Sequence, residues 1–334
     1  MLTASVTLPQ EHWSCEGFRG DNSMIRILGW AENRFIPTDK VEKHSLINVI
    51  NPDKSELDKL SAEMSIPPDF LTDPLDIDER GRIETEDGVL LIVLRIPKYD
   101  ESNPEIPFTT IPAGIILTKE DTIVTISSSD ITDILEFGNG KAKGIIAGKR
   151  SSVILQIFLR TALLYLRHLK EINRRTGETE RELQKSLKNE ALIKLLNLEK
   201  SLVFFTTSLR SNDLMMERLL KTELLKLTPE DKDMLEDVLI DNRQAIEMAN
   251  IYSNILSGMM DAFASVISNN LNVVMKILTS ITIILMIPTL IASIYGMNID
   301  LPFQRSSHAF FIVIGISFTL SLISALIFVR NKWF

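Results

Sequence analysis

Two stretches near the C-terminal end decide what this chain can become. Ile277–Met297 and Ala309–Val329 are 21 residues each and contain no charged side chain. Coiled as α-helices at about 1.5 Å per residue, each reaches roughly 31 Å, the thickness of a bilayer's hydrocarbon core. Uncharged runs of this length are rare inside water-soluble domains, so two membrane-spanning helices are preferred over two buried core helices. The linker Asn298–His308 has 11 residues, so the helices must form a tight antiparallel hairpin. Lys276 precedes the first span, Arg330 and Lys332 follow the second, and the linker's Arg305 is offset by Asp300. Positive-inside bias then places both termini in the cytoplasm and the short loop outside, in a multi-pass protein of the cytoplasmic membrane in contact with lipid. Tyr295 and Trp333 suit the membrane–water interface.

The remainder reads as ordinary globular protein with a skewed charge. Four of the 36 Lys and Arg and one of the 44 Asp and Glu fall in the last 59 residues, which leaves −11 on residues 1–275 and +3 on the end. An acidic soluble part argues against a nucleic-acid partner and suits a protein that concentrates cations near itself. Cys15 is the only cysteine. That excludes an intrachain disulfide and fits a reducing compartment. Met1–Trp13 has neither a basic n-region nor an apolar h-region and does not read as a signal peptide.

Within residues 1–150 the runs Ile25–Trp30, Val89–Ile96, Ala113–Leu117 and Thr122–Ile126 are rich in β-branched residues and bounded by Pro, Gly and Asp. With helical signals such as Lys54–Met64 among them, they predict a cytoplasmic α/β domain. Residues 151–275 change to long helical patterns and form a cytoplasmic helical region. Its clearest helix start is Thr228-Pro229-Glu230-Asp231: an N-cap, a proline at the first helical position and acids in the first turn. Apolar residues then recur at Leu235, Val238, Ala245, Ala249, Tyr252, Leu256, Met259, Phe263 and Val266, with no proline before Pro288. The simplest reading is one helix from about 229 to 297, a stalk to residue 275 continuing into the first span at 276–297. Residues 298–308 are then the external loop, 309–329 the second span and 330–334 a basic tail.

The first span carries a polar stripe. Asn272, Met275, Thr279, Thr282, Met286, Thr289 and Ser293 are spaced 3, 4, 3, 4, 3, 4. At about 100° per residue its hydroxyl-bearing members fall within about 80° of one another. Polar groups inside a membrane face protein or a water-filled cavity, so the stripe lines a pore or packs against another helix. A pore needs an oligomer, because two helices cannot enclose a channel.

Tyr295-Gly296-Met297-Asn298 follows immediately. Gly-Met-Asn at the end of the first of two C-terminal spans resembles the signature of the CorA magnesium transporters. Asn272-Val273-Val274-Met275-Lys276-Ile277-Leu278-Thr279 is similar to that family's pore entrance. In architecture the resemblance covers most of the chain. It implies a homopentamer with five first-span helices around one pore, and transport of Mg²⁺, with Co²⁺ as a further cargo. Gly296, Met297 and Asn298 would form the selectivity filter, with Asn298 as a ring of amide oxygens that accept hydrogen bonds from the ion's water shell. Asn272 would form a polar ring at the cytoplasmic end. Met275, Leu278 and Met286 would be apolar constrictions, with Thr279, Thr282, Thr289 and Ser293 also lining the pore; the stripe favours Thr279 where the family pattern favours Leu278. Asp300 sits where the family often has an acid in the loop. Asp73, within Leu71-Thr72-Asp73-Pro74-Leu75, and Asp237 on the stalk resemble the family's regulatory metal site between subunits, at which intracellular Mg²⁺ would gate the pore.

No enzyme is expected. Gly144–Arg150 is one spacer short of a phosphate-binding loop and has Arg where Ser or Thr is needed. Lys141, Lys143, Lys149 and Arg150 read as a solvated basic face. His12, His44, His168 and His308 lie far apart, and no nucleophile–base pair is visible. Two other functions are weighed. One is a Zn²⁺, Co²⁺ or Ni²⁺ transporter of the same fold, against which Met297 in the middle of the signature speaks. The other is a membrane-anchored sensor or scaffold whose spans conduct nothing.

Overall fold

The computed structural model describes residues 24–31, 34–38, 40–41, 43–101, 103–135, 149–185, 189–298, 302, 308–331 and 333. Cys15, His12, Lys141, Lys143, Gly144, Asp300, Arg305 and Lys332, all weighed above, lie outside these residues. The chain divides into two compact units, with the division between Ser257 and Gly258.

The first unit is built on a seven-stranded sheet. Its strands are β1 (Met24–Ala31), β2 (Arg34–Pro37), β3 (Leu46–Ile50), β4 (Arg82–Glu86), β5 (Val89–Tyr99), β6 (Phe108–Leu117) and β7 (Ile123–Ser127), in the order β2-β1-β3-β7-β6-β5-β4. Only the β3–β7 pairing is parallel. The helices are α1 (Lys54–Met64), α2 (Pro68–Thr72), α3 (Thr132–Leu135), α4 (Arg150–Lys185), α5 (Asn189–Lys221), α6 (Pro229–Tyr295) and α7 (Ala309–Arg330).

The apolar run of β5 splits by parity. Leu90, Ile92, Leu94 and Ile96 join a core with α4, α5 and the first turns of α6. Val89, Leu91 and Val93 join a second core with Leu60 of α1 and Phe70 and Leu71 of α2. A sheet covered on both faces has apolar residues at successive positions, which is why Val89–Ile96 shows no alternation. The four predicted strands and the helix 54–64 are all present. Three strands escape the sequence reading. β2 and β4 are edges, and β4 buries only Ile83 of Arg-Ile-Glu-Thr-Glu, so its composition carries little strand signal. β3 is a five-residue central strand with a polar interruption at Asn48. That amide is buried and accepts a hydrogen bond from Thr125 Oγ1 on β7 at 3.0 Å.

The sequence change at residue 150 marks where strands give way to helices. In space α4 and α5 lie on the sheet and share its core. Among the described residues three helices are long and apolar enough to cross a membrane, α4, α6 and α7. The apolar face of α4 (Ile154, Leu155, Phe158, Tyr165, Leu169) is fully buried in the first unit, which makes it a core helix.

The start of α6 matches its reading. The Thr228 amide donates to Asp231 Oδ2 and the Asp231 amide to Thr228 Oγ1, a reciprocal cap. Lys149 Nζ lies 2.8 Å from Asp231 Oδ1, and Ser151 Oγ donates to Oδ2. Burial alone would raise the Asp231 pKa, but Lys149, the Thr228 amide and Ser151 together hold it below the usual carboxylate range. Leu235, Val238, Ala245, Ala249 and Leu256 of the predicted stripe are fully buried, whereas Val266, beyond the division, is exposed.

Gly114 on β6 lets the turn after α2 press flat on the sheet. A Cβ there would come within 2.5 Å of Pro74 Cγ and 2.9 Å of Ile126 Cγ2. Gly114→Ala is expected to cost about 1–3 kcal/mol by overpacking and to displace the Asp73-Pro74 turn; thermal unfolding of the purified protein checks this. His168 of α4 packs near Phe108 and Phe205, and burial lowers its pKa from 6.5 to about 4. The unfolded chain therefore gains this proton first as pH falls. Stability should drop as pH is lowered from 6.5 towards 4, by about 1–2 kcal/mol at pH 5, and His168→Gln should remove that part of the pH dependence.

Candidate functional site

The stripe predicted on the first span lies on α6. Asn272, Met275, Leu278, Thr279, Thr282, Met286, Thr289 and Ser293 are all exposed in the chain. The opposite side of the same helix faces α7. Ser280 is fully buried, and Ile277, Ile284, Ile287, Ile291 and Tyr295 are half-buried. Ser321 Oγ on α7 reaches Ile284 O at 3.3 Å, which fixes α7 to that side. At about 100° per residue the centre of the stripe lies roughly 160° around the helix from this seam. Packing of the two spans within one chain therefore does not use the stripe. Ser280 is the one serine or threonine of the span that lies outside the stripe, and the seam buries it. Leu278 and Thr279 both point away from α7, flanking the line opposite the seam by about 50° each.

Two of the four stripe hydroxyls donate back along their own helix. Thr282 Oγ1 donates to Leu278 O at 2.8 Å and Thr289 Oγ1 to Leu285 O at 3.1 Å. Each hydroxyl hydrogen is thus spent on the preceding helical turn, and the oxygen lone pairs are left as outward acceptors.

At the end of the span α6 tightens. The Gly296 amide bonds Ala292 O at 2.9 Å, the Met297 amide bonds Ile294 O at 3.2 Å, and the last helical residue is Tyr295. A Cβ on Gly296 would sit 3.3 Å from Ala292 O, a tight fit. Among the described residues Gly88 is the only glycine with positive φ, so Gly296 serves close approach and not a left-handed turn. Met297 and Asn298 follow, both exposed. The Tyr295 hydroxyl donates to Pro302 O at 3.2 Å and ties the loop beyond Asn298 to the helix end. At the other end of the hairpin, Trp333 stacks on Phe328 with ring centroids 5.4 Å apart.

Asp73 and Asp237 belong to the first unit. Asp73 begins a 3₁₀ turn, Asp73–Leu75, seated by Pro74 on Gly114. Arg82 Nη2 lies 2.7 Å from Asp73 Oδ2, and the same guanidinium bonds Glu79 and Glu84. Arg95 of β5 holds the intervening loop by donating to Ile77 O and Glu79 O, and it also donates to Thr110 Oγ1 on β6. Asn212 of α5 clamps Arg95 by accepting from its amide and donating to its carbonyl. Burial by itself would lower the Arg82 pKa, but its carboxylate partners raise it. Asp237 is exposed on the outer side of α6. Among the described residues no three His, Cys, Asp or Glu side chains come together to hold a metal ion. Within the chain Asp73 already has Arg82 as its counter-ion. Arg82 and Arg95 were not singled out from the sequence, because their partners are brought to them only by the sheet.

The chain joins an α/β domain to a C-terminal pair of helices long and apolar enough to cross a membrane, with the hydroxyl stripe of the first turned away from the second. The family described as CorA-like Mg²⁺ transporter protein matches residues 42–330, and the chain belongs to that family. The cobalt/magnesium transport protein CorA of Methanocaldococcus jannaschii is 30% identical over 327 residues, covering 93% of this chain and 100% of that protein. The cobalt/magnesium transport protein CorA of Thermotoga maritima is 26% identical over 272 residues, covering 80% of this chain and 77% of that protein. The complete structure of the CorA magnesium transporter from M. jannaschii superposes with a TM-score of 0.80 at 28% identity, covering 93% of this chain and 99% of that one.

Arg82→Gln would leave Asp73, Glu79 and Glu84 without their shared cation. The cluster should then recruit free Mg²⁺, so that added Mg²⁺ raises the unfolding temperature of the variant by more than that of the wild type. Equal shifts would show that Arg82 is not what occupies these carboxylates.

Proposed function

We propose that the chain conducts hydrated divalent cations, Mg²⁺ foremost and Co²⁺ also, across the cytoplasmic membrane as a homopentamer with both termini inside. The observation that carries this reading is the polar stripe of α6. It lies on the side turned away from α7 and runs up to Gly296-Met297-Asn298. Copies of the chain that close a ring with these sides inward would surround a water-filled path.

The chemistry of such a lining suits Mg²⁺. The ion gives up its waters reluctantly and is usually bound with several retained. Those waters point their hydrogens outward and need acceptors. The lone pairs of Thr282 and Thr289, together with the Asn298 amide oxygens, are neutral acceptors. Neutral oxygens orient the hydrated ion without holding it as a carboxylate ring would, so release stays fast. Asn272 would do the same at the inner end, while Met275, Leu278 and Met286 would narrow the path and block it when dewetted. An inside-negative potential supplies about 2.3 kcal/mol per charge per 100 mV, hence about 4.6 kcal/mol for a divalent ion, so no nucleotide is needed as a drive.

Intracellular Mg²⁺ would regulate the pore between copies, with Asp73 of one and Asp237 of its neighbour as the candidate groups, in competition with the Arg82 that pairs with Asp73 within the chain.

Purified protein in liposomes, with an inside-negative potential and a choice of Mg²⁺, Co²⁺ or Zn²⁺, tests the reading. Mg²⁺ and Co²⁺ should enter, and Asn298→Ala should lower the Mg²⁺ rate on the order of ten-fold with the assembly intact. Zinc flux without magnesium flux, or a protein that is monomeric in membranes, would overturn it.

A further inference from the structure

Pro288 lies inside α6, between Met286 and Thr289 of the stripe. A proline has no amide hydrogen, so the carbonyl four residues earlier, Ile284 O, loses its helical donor, and the ring pushes that carbonyl outward. In hydrocarbon no water replaces the lost bond, and an unsatisfied carbonyl is costly. The donor comes from the other span: Ser321 Oγ of α7 reaches Ile284 O at 3.3 Å. This hydroxyl behaves unlike its neighbours. Ser280, Thr282, Thr289, Ser317 and Thr319 each donate to the carbonyl four residues earlier on their own helix. Ser321 instead donates across the hairpin, to the carbonyl that Pro288 orphans. Both groups face the seam between the spans: Ile284, Pro288 and Ser321 are half-buried there.

We propose that Ser321 is a positioning residue for the conducting helix. Its hydroxyl replaces the hydrogen bond that Pro288 deletes and so sets the angle between the segments of α6 before and after the proline. The consequence rests on the transport reading above. Asn272 through Met286 precede Pro288, and Thr289, Ser293 and Asn298 follow it. The bend angle therefore decides whether the outer acceptors stand in line with the inner ones. When the Ser321 bond is lost, the outer segment loses the contact that fixes its tilt, while the groups that meet the ion are unchanged.

The test is a cycle of four full-length proteins in liposomes: wild type, Ser321→Ala, Pro288→Ala and the double variant. Ser321→Ala should lower the maximal Mg²⁺ flux about three-fold, the size of one interhelical hydrogen bond in a membrane, with the half-saturating Mg²⁺ concentration unchanged. Ser321→Thr, which keeps the hydroxyl, should retain wild-type flux. In the Pro288→Ala background an amide hydrogen is restored at position 288, so adding Ser321→Ala should change neither flux nor unfolding temperature. Equal loss from Ser321→Ala in both backgrounds, or no loss in either, would overturn the pairing. If the wild type carries no ion at all, the transport reading fails by itself, and the unfolding temperatures still decide: a non-additive cycle supports the Ser321–Pro288 link and an additive one refutes it.

Discussion

A polypeptide inside a bilayer has no water to satisfy its amide and carbonyl groups, and every such group must find a partner in the protein. That constraint shapes the C-terminal hairpin at several points where the sequence departs from plain aliphatic helix. Hydroxyls at Ser280, Thr282, Thr289, Ser317 and Thr319 turn back onto their own helices, where each hydrogen finds a carbonyl acceptor four residues earlier. The proline at 288 breaks the ladder, and a serine on the second span reaches over to mend it. The helix thus keeps its acceptor-rich side free of structural duty. Its opposite side carries the contacts that hold the hairpin together.

This two-sidedness joins packing to chemistry. Small and branched residues at 277, 280, 284, 287 and 291 let α7 approach, and the stripe turns outward because the seam takes the other side. A hydrated divalent ion needs many weak acceptors and not a few strong ones, since capture by carboxylates would slow its release. Hydroxyl and amide oxygens on an otherwise apolar helix would meet that demand under the proposed function, and they are also the polar groups a span tolerates at least cost.

The first unit obeys a different constraint, burial of a sheet on both faces. Loops can carry the acidic residues only where the sheet leaves room. Asp73 sits on a proline-locked turn because Gly114 has no side chain to keep Pro74 away. Arg95, held by Asn212 and bonded to the carbonyls of Ile77 and Glu79, stiffens the next loop. Arg82 from the edge strand then neutralises Asp73, Glu79 and Glu84 together. The acidic charge of this region, so evident in composition, is partly answered by cations within the same chain.

What the sequence determined by itself was whatever rests on local periodicity and on length. The uncharged runs became α7 and the end of α6, Lys54–Met64 became α1, and Thr228-Pro229 starts the longest helix, because helical spacing, caps and proline act within a few residues. The stripe and the Gly-Met-Asn ending were legible for the same reason, and they led to the family. Three things waited for the tertiary structure. The edge strands β2 and β4 have too little apolar character to declare themselves, and β3 is known as a strand by the neighbours it pairs with. The side of α6 that faces α7 depends on which hydroxyl is buried, and composition gives Ser280 and Thr279 the same polarity. The partners of Asp73, and the serine that serves the carbonyl before Pro288, lie 9 and 37 residues away along the chain. Only folding brings such groups within hydrogen-bond distance, because contacts at that separation are set by packing and not by local sequence.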